Sequence, residues 1–307
     1  MTQDLLKEHY GFTEFRPGQE DVIQSILAGR DTLVVMPTGG GKSLCYQLPA
    51  LALESTTLVI SPLIALMKDQ VDVLQKRGIA ASFINSSLTE KEIKKRTNDA
   101  LASKIKILYI APERLNSGFS AALQEIPVSF VAIDEAHCVS TWGHDFRPDY
   151  RLIKEHIDAL LKRPIVAAFT ATATPEVRRD IVERLGLQKP HVFVRGFDRP
   201  NLRFFTQGWM SEFERDWEVL RLAESLAKPG IVYVGKRDKS EELARFLSNK
   251  GIQAMPYHAG LKTEERTATQ EAFMKDELPV IVATIAFGMG VDKADVRFVV
   301  HAGMPGT

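Results

Sequence analysis

The chain has 307 residues, of which 45% are hydrophobic and 25% charged, and its 39 basic and 39 acidic residues give a net charge of zero. This composition is typical of a globular protein, and the length suggests two domains. Because the charges balance, a basic groove for nucleic acid would have to come from local arrangement. Two cysteines, Cys45 and Cys138, are too few for a disulfide framework or a four-cysteine zinc module.

The N-terminus "MTQDLLKEHYGF" lacks the basic and then apolar pattern of a signal peptide. No apolar run approaches the ~18 residues that a membrane-spanning helix needs. We therefore expect an intracellular, cytoplasmic protein without a membrane segment.

Short apolar runs rich in β-branched residues predict strands at 31–35, 56–60, 105–110, 129–133, 164–170 and 191–194. Most are apolar almost throughout, which is typical of strands buried on both faces of a parallel sheet. Amphipathic segments between them predict helices at 63–77, 89–102 and 175–185. The last of these has Thr174 as its N-cap and Pro175 at its first position. The repeated β-α-β order predicts the α/β class.

The pattern then starts again after a connector at 196–204 that is rich in Gly, Asp, Pro and Asn. Predicted helices at 211–227, 238–250 and 263–274 alternate with predicted strands at 230–234, 253–258, 279–285 and 296–301. The sequence therefore predicts a first lobe at 1–197, a linker at 198–206 and a shorter second lobe at 207–307.

The stretch "MPTGGGKS" (36–43) lies between a predicted strand and a predicted helix. A helix N-terminus attracts anions, and glycines before it allow backbone amides to approach a phosphate. Lys42 is predicted to reach the β- and γ-phosphates, and the Ser43 hydroxyl to hold magnesium. The predicted phosphate cradle consists of Thr38, Gly39, Gly40 and Gly41. The alternative is a simple glycine-rich turn, since Met36 stands where the strict motif has glycine.

The stretch "FVAIDEAH" (130–137) ends a predicted buried strand with two acids. Asp134 is predicted to hold magnesium, and Glu135 to orient or deprotonate the attacking water. Taken alone the acids could be solvated groups at a strand end, but together with the glycine-rich stretch they predict a nucleoside triphosphatase. A zinc site formed by His137, Cys138, His144 and Asp145 matches no standard spacing, so no zinc is expected.

Residues 140–150, "STWGHDFRPDY", form a segment that we call the aromatic loop. The loop has no helix or strand periodicity and concentrates Trp142, His144, Phe146, Arg147 and Tyr150. Aromatic and arginine side chains on a loop can stack on single-stranded bases. The alternative is that they pack in the core. The place of the loop, directly after the acids, favours stacking, because a loop there can sense DNA and report to Glu135.

Several motifs resemble those of superfamily 2 helicases: "MPTGGGKS", "SPLIALMKDQ" (61–70), "DEAH" (134–137) and "TAT" (170–172). Others resemble those of the RecQ DNA helicases: "FRPGQ" (15–19), "WGHDFRPDY" (142–150), "YHAGL" (257–261) and "VATIAFGMGVDK" (282–293). The resemblance runs nearly end to end. It implies two tandem RecA-like lobes that hydrolyse ATP with Mg²⁺ in the cleft between them. It also implies 3′-to-5′ movement on single-stranded DNA, unwinding of partly duplex DNA, and work in repair and recombination.

The resemblance also implies roles for individual residues. Gln19 would hydrogen-bond adenine while Phe12 and Arg16 stack on it, although Phe12 and Phe15 could also be core residues. His137, Thr170 and Thr172 would couple the nucleotide state to movement. Contacts to DNA are implied for Arg237, His258, Gly260 and Thr284, and contacts to the nucleotide for Gly290 and Asp292.

The sequence departs from the family after "VRFVVHAGMPGT" (296–307), because no arginine-bearing segment of the second lobe follows. Such an arginine is worth roughly 10³–10⁵ in rate in related phosphoryl transfers. We therefore expect an incomplete second lobe, and a chain that binds ATP but hydrolyses it slowly. The alternatives are a superfamily 2 ATPase that acts on RNA, and an ATP-binding, DNA-binding fragment with little catalysis of its own.

Overall fold

The computed structural model describes residues 2–37, 39–116, 119–143, 145–195, 201–208, 210–288, 293 and 295–303. The chain divides into two compact units, Met1–Leu202 and Arg203–Thr307. Residues 196–200, which hold most of the predicted connector, lie outside the described residues. None of the described helices is both long enough and apolar enough to cross a lipid bilayer.

The first unit contains a sheet of seven parallel strands in the order β3-β4-β2-β5-β6-β1-β7. The strands are β1 (Thr32–Val35), β2 (Thr56–Ile60), β3 (Ala81–Ile84), β4 (Ile107–Ile110), β5 (Val128–Ile133), β6 (Ile165–Thr170) and β7 (His191–Val194). β1, β2 and β4 are buried along their whole length, as their continuous apolar sequences predict.

Helices connect these strands. They are α1 (Thr2–Leu5), α2 (Gln19–Leu27), α3 (Lys42–Ala52), α4 (Ile64–Lys76), α5 (Glu90–Leu101), α6 (Phe119–Glu125), α7 (Ile153–Asp158) and α8 (Pro175–Arg184). A π-helical turn, Leu6–Tyr10, follows α1, and 3₁₀ turns occupy Pro112–Arg114, Ala136–Val139 and Pro148–Leu152. α8 begins as predicted, with the Thr174 hydroxyl accepting the Val177 N–H at 3.3 Å.

The second unit has four parallel strands in the order β11-β8-β10-β9. They are β8 (Gly230–Tyr233), β9 (Ala254–Tyr257), β10 (Val280–Ala283) and β11 (Phe298–His301), and its helices are α9 (Glu212–Ser225), α10 (Arg237–Asn249) and α11 (Thr263–Met274). α9 begins with a capping box between Ser211 and Glu214. Both units therefore have the predicted α/β architecture.

Some elements were not predicted or were predicted differently. The sequence predicted no element at β3, α1, α2, α6 or α7, and "ASFI" of β3 has only one β-branched residue to signal a strand. β7 was expected among the buried strands, yet its residues are largely exposed. It lies at one edge of the sheet, where β1 is its only neighbour among the described strands, whereas β3 at the other edge is largely buried.

The strand order brings three predicted motifs together at the carboxyl ends of the strands. β5, β6 and β1 are neighbours and parallel, so their carboxyl ends lie side by side. Past β1, the Met36 N–H donates to the Thr170 carbonyl at the end of β6, over 3.0 Å. Past β5, the Asp134 N–H donates to the Ile60 carbonyl at the end of β2, over 2.8 Å. Crevices at the carboxyl ends of parallel strands are where open α/β sheets bind ligands.

At the opposite ends of the strands, an ion pair between Asp31 and Arg163 joins the beginnings of β1 and β6. The Asp31 carboxylate, just before β1, accepts both Nη atoms of Arg163, at 3.2 and 2.6 Å. It also accepts the backbone N–H groups of Val166 at 3.0 Å and Gln188 at 2.6 Å. The side chain of Asp31 is only 3% exposed. Four donors compensate its charge for the loss of water.

Asp31→Ala should be strongly destabilising, because it leaves a partly buried guanidinium and two backbone N–H groups without their acceptor. We expect a loss of about 3–5 kcal/mol in the free energy of unfolding of the first unit. Urea unfolding followed by circular dichroism measures it. The matched control is Asp158→Ala, which breaks the half-exposed Lys154–Asp158 pair and should cost less than ~1 kcal/mol. Equal costs for the two variants would contradict the assigned role of Asp31.

Candidate nucleotide and nucleic-acid site

The glycine-rich loop between β1 and α3 has the geometry of a phosphate cradle. Gly39 and Gly41 have φ angles of 77° and 80°, in the left-handed region that favours glycine. A Cβ on Gly40 would lie 2.9 Å from the Pro37 carbonyl oxygen, so that position also excludes a side chain. Among the described residues, no side chain caps the N-terminus of α3. Its amides therefore remain available to an anion. The predicted cradle residue Thr38 lies outside the described residues.

Two of the three predicted adenine-binding residues hold this loop. The Arg16 guanidinium donates to the Gly39 carbonyl at 2.5 Å. The Gln19 side chain accepts the Arg16 N–H at 2.8 Å and donates to the Gly41 carbonyl at 3.2 Å. The third residue, Phe12, is 52% exposed and is therefore not part of the core.

Phe15, by contrast, is partly buried and packs against the apolar cluster of Leu6, Ile23, Leu44 and Leu48. The core alternative thus holds for Phe15 and fails for Phe12. An exposed ring at Phe12 is free to stack on a base.

Lys42 and Asp134 are brought together at the carboxyl ends of the strands. The Lys42 ammonium donates to the Met36 carbonyl at 3.2 Å, and the Asp134 carboxylate accepts the Glu135 N–H at 3.0 Å. Burial, with repulsion from Glu135, raises the pKa of Asp134 to about 7, and the Lys42 ammonium opposes that rise. A carboxylate that is costly to ionise when alone is one that a cation stabilises strongly.

These residues fit a magnesium ion. Magnesium prefers oxygen ligands and is held in nucleotide sites by one or two protein groups together with phosphate oxygens. Asp134 supplies a buried carboxylate, and Ser43 supplies a hydroxyl in the first turn of α3. The chemistry of the donors and their setting thus agree with the predicted role.

A hydrogen-bonded network joins the "DEAH" and "TAT" motifs. His137 Nδ1 lies 3.3 Å from a Glu135 carboxylate oxygen and 2.9 Å from the Thr170 hydroxyl. The Thr170 hydroxyl donates its proton to the Thr172 carbonyl at 3.0 Å. It must then accept from His137, so Nδ1 of the imidazole carries a proton. Glu135 itself has a φ of 46°, which turns the chain sharply after β5.

The zinc alternative gains no support from the geometry of its residues. The Cys138 sulfur lies 3.8 Å from Asp145 Oδ2 and 3.9 Å from His137 Nε2, which are hydrogen-bond distances to sulfur rather than metal-ligand spacings. Within the described ranges, no group of three or more His, Cys, Asp or Glu side chains is arranged to hold a metal. The fourth member, His144, lies outside those ranges.

The aromatic loop divides into exposed and buried parts. Trp142 is 78% exposed, which rules out core packing for its ring. Phe146 is partly buried, with the Arg151 guanidinium 4.7 Å from its ring centroid. Tyr150 corrects the prediction, because it is fully buried and its hydroxyl donates to the Asp134 carbonyl at 2.8 Å. It supports the acid motif and cannot stack on a base.

Arg147 anchors the loop. Its Nε and Nη2 donate to Asp145 Oδ2 at 3.1 and 3.0 Å, and its Nη1 donates to the Pro62 carbonyl at 3.2 Å. All three guanidinium nitrogens are thus engaged within the protein. Any contact of Arg147 with DNA would have to share these donors.

In the second unit, His258 is buried and both of its ring nitrogens are used. Nδ1 accepts the Gly260 N–H at 3.1 Å, so Nε2 carries the proton and donates to Glu241 at 3.0 Å. The ring has no N–H left for a phosphate. The structure thus corrects the prediction of a direct DNA contact, and the His258 ring instead holds the turn at Gly260. A Cβ on Gly260 would lie 3.4 Å from Arg237 Nη1, so the turn and the start of α10 are adjacent.

Thr284 follows β10 and is partly exposed. Its N–H donates to the Tyr257 carbonyl at 3.1 Å and its hydroxyl accepts the Ala286 N–H at 3.5 Å. Gly290 and Asp292, the predicted nucleotide contacts of the second lobe, lie outside the described residues.

The sequence did not predict a buried polar network around Gln47 of α3, the helix that follows the glycine-rich loop. Gln47 of α3 accepts from the Tyr10 hydroxyl at 3.1 Å, and its amide nitrogen lies 2.8 Å from Gln70 Oε1 and 2.9 Å from the Tyr109 hydroxyl. The signal in the sequence was a lone glutamine within the apolar run "LCYQLPAL". Buried polar side chains need partners, so such a residue indicates a network.

Family comparisons agree with the motifs. A model described as DEAD/DEAH box helicase matches residues 16–181, and one described as helicase conserved C-terminal domain matches residues 217–307. An ATP-dependent DNA helicase RecQ of Pasteurella multocida is 48% identical over 98% of this chain and 48% of its own length. One of Bacillus subtilis is 47% identical over 99% of the chain and 51% of its own length. The chain thus spans about half the length of these relatives.

Solved structures share the fold at low sequence identity. The helicase MrfA bound to DNA has a TM-score of 0.77 and 20% identity, over 99% of this chain and 47% of its own. Saccharomyces cerevisiae Dbp5 bound to RNA and ADP BeF3 has a TM-score of 0.75 and 18% identity, over 98% of this chain and 78% of its own. At such identities the likeness shows the fold alone.

Asp134→Asn should change how stability depends on pH. A carboxyl whose pKa rises on folding, here from 3.8 to about 7, costs stability as the pH rises through that window. The variant lacks this cost, so we expect it to be more stable than the wild type at pH 8, by on the order of a few kcal/mol, with the difference vanishing near pH 4. Denaturant unfolding without nucleotide measures the difference. A pH-independent effect of Asp134→Asn would refute the burial cost.

Proposed function

This chain belongs to the DEAD/DEAH box helicase family and, within it, to the RecQ helicases, and from that premise we propose that it is the motor core of an ATP-dependent DNA helicase. It hydrolyses ATP with Mg²⁺ and uses the energy to move on single-stranded DNA and to separate duplex strands. Its relatives are named DNA helicases and it spans about half of their length, so activity of the whole protein is part of the proposal.

The observation that carries the proposal is that four functional groups meet at the carboxyl ends of the strands in the first sheet. An uncapped helix N-terminus, the lysine that follows the glycines, a buried acid and a second acid held by a histidine lie at the ends of neighbouring strands. Phosphoryl transfer needs a cradle for phosphates, a metal-binding oxygen and a group that positions water. The arrangement offers all three.

In the proposed mechanism, Thr38, Gly39, Gly40 and Gly41 cradle the phosphates, with the Gly40 N–H donating to the Pro37 carbonyl at 3.0 Å within the loop, and Lys42 neutralises the β- and γ-phosphates. Ser43 and Asp134 hold Mg²⁺, which would neutralise charge on the phosphate oxygens when bound. Glu135 orients the attacking water and accepts its proton. Gln19, Arg16 and Phe12 bind adenine.

His137 connects hydrolysis to the rest of the motor. Its ring joins the Glu135 carboxylate to the Thr170 hydroxyl, which in turn bonds to Thr172. A change in the charge near Glu135 therefore changes the hydrogen bonds of the segment that follows β6. We propose that this network couples nucleotide state to movement.

DNA is bound, in this proposal, by the exposed part of the aromatic loop and by the second lobe. Trp142, His144 and Phe146 stack on bases, and Arg147 holds the loop in place. Arg237, Gly260 and Thr284 contact the backbone, while Gly290 and Asp292 reach the nucleotide. The first lobe comprises 1–197, the linker 198–206 and the second lobe 207–307, a division supported by the compact units Met1–Leu202 and Arg203–Thr307.

The direct test is ATP hydrolysis by the 307-residue chain with single-stranded DNA, with RNA of the same sequence and with neither. We expect DNA to stimulate hydrolysis more than RNA does. Glu135→Gln should retain ATP binding while lowering kcat by roughly 10²–10⁴, and Lys42→Ala should lose ATP binding. Equal stimulation by RNA would favour the RNA-acting alternative. Binding of ATP with no stimulated hydrolysis would favour the non-catalytic fragment.

Trp142→Ala tests the DNA-binding role of the aromatic loop. Loss of one stacking surface is worth about 1–3 kcal/mol per base, so the DNA concentration for half-maximal stimulation should rise about tenfold. Because the ring is 78% exposed, the melting temperature should stay the same. The matched control is Leu161→Ala, at a 92% exposed apolar residue outside the loop, which should leave stimulation unchanged. Unaltered DNA activation in Trp142→Ala would exclude the stacking role.

A further inference from the structure

The start of the aromatic loop rests on α8. Ser140, the first residue of the loop, is completely buried and follows the 3₁₀ turn that carries His137. Val177 and Ile181 of α8 belong to the same apolar cluster as Val139. α8 therefore forms the wall against which the loop begins.

One hydroxyl holds the backbone of Trp142. Ser140 Oγ accepts the Trp142 N–H at 3.2 Å and donates to Asp180 Oδ2, on α8, at 2.7 Å. A serine hydroxyl has one proton and two lone pairs. Because the proton is directed to Asp180, the lone pairs face the Trp142 amide. An O–H group that donates to a carboxylate forms a short, strong bond, so Asp180 fixes the orientation of this hydroxyl.

The loop thereby gains a second connection to the segment that follows β6. The first is the His137–Thr170 bond, and α8 begins only a few residues after Thr170, behind the Thr174 cap. The same oxygen, Asp180 Oδ2, also lies 3.4 Å from Arg184 Nε. Arg184 lies one turn further along α8.

We propose that Asp180 is a positioning residue for DNA binding: through the Ser140 hydroxyl it fixes the backbone of Trp142 and so presents the aromatic loop to single-stranded DNA. The consequence for DNA rests on the proposed function. The effect on the loop conformation does not, because it follows from the contacts of Asp180, Ser140 and Trp142 alone.

The test uses Trp142 as its own reporter. The chain has three tryptophans, so Trp209→Phe with Trp217→Phe leaves Trp142 as the single emitter in the parent protein. In that background, Asp180→Ala and Ser140→Ala should lower the fluorescence anisotropy of Trp142. Each should also weaken binding of a single-stranded oligonucleotide about tenfold, the usual effect of one lost hydrogen bond. The double variant should be no worse than Ser140→Ala, because that variant already removes the Ser140–Asp180 bond together with the bond to the Trp142 N–H.

Two variants serve as matched controls. Arg184→Ala removes the other partner of Asp180 and should keep the anisotropy and affinity of the parent. Asp180→Asn retains an oxygen that can accept the Ser140 proton and should recover most of both. If Asp180→Ala does not fold, Ser140→Ala and Asp180→Asn still decide the matter.

The proposal is overturned if Ser140→Ala and Asp180→Ala keep the parental anisotropy, or if Arg184→Ala loses as much as Asp180→Ala. A parent protein that binds no oligonucleotide would refute the proposed function instead. The anisotropy series alone then decides whether Asp180 positions the loop.

Discussion

The hydrogen-bonded order β5-β6-β1 is the constraint on which the candidate site depends. The glycine-rich loop follows β1, the acids follow β5 and the threonines follow β6, three segments that are far apart in sequence. Parallel pairing makes their carboxyl ends coincide, and the bond from the Met36 N–H to the Thr170 carbonyl extends that pairing past the strands. At the opposite ends, Asp31 joins the beginnings of β1 and β6. A slip of either strand would separate Lys42 from Asp134.

The same convergence creates an electrostatic cost. Asp134 is buried beside Glu135, and both effects raise the pKa of Asp134, while the Lys42 ammonium lowers it. Two carboxylates close together cannot both ionise cheaply in a poorly solvated place. A divalent cation held by Asp134, as proposed, would offset this cost by favouring the ionised carboxylate. The fold accepts this cost because the surrounding strands are buried and paired.

The sequence predicted this arrangement well where local pattern decides the outcome. Continuous apolar runs located most of the strands, and Thr174 with Pro175 located the start of α8. Pattern cannot tell which strand lies at a sheet edge, so the exposure of β7 was missed. It also cannot separate an aromatic residue that packs from one that stacks: Trp142 and Tyr150 lie in one short motif, yet one is exposed and the other fully buried. The role of His258 likewise could not be predicted from the sequence, because it depends on the tertiary contacts of both ring nitrogens.

The aromatic loop shows how sheet order can couple two sites. It follows β5, whose neighbours in the sheet are β2 and β6. Its first residue is tied by Asp180 to the helix after β6, and Arg147 ties its far part to the Pro62 carbonyl after β2. The loop is therefore hydrogen-bonded to segments that follow both neighbours of β5, the strand that leads to Asp134 and Glu135. If DNA binds at Trp142 as proposed, these hydrogen bonds connect its site directly to the segments beside the strand that carries Asp134 and Glu135.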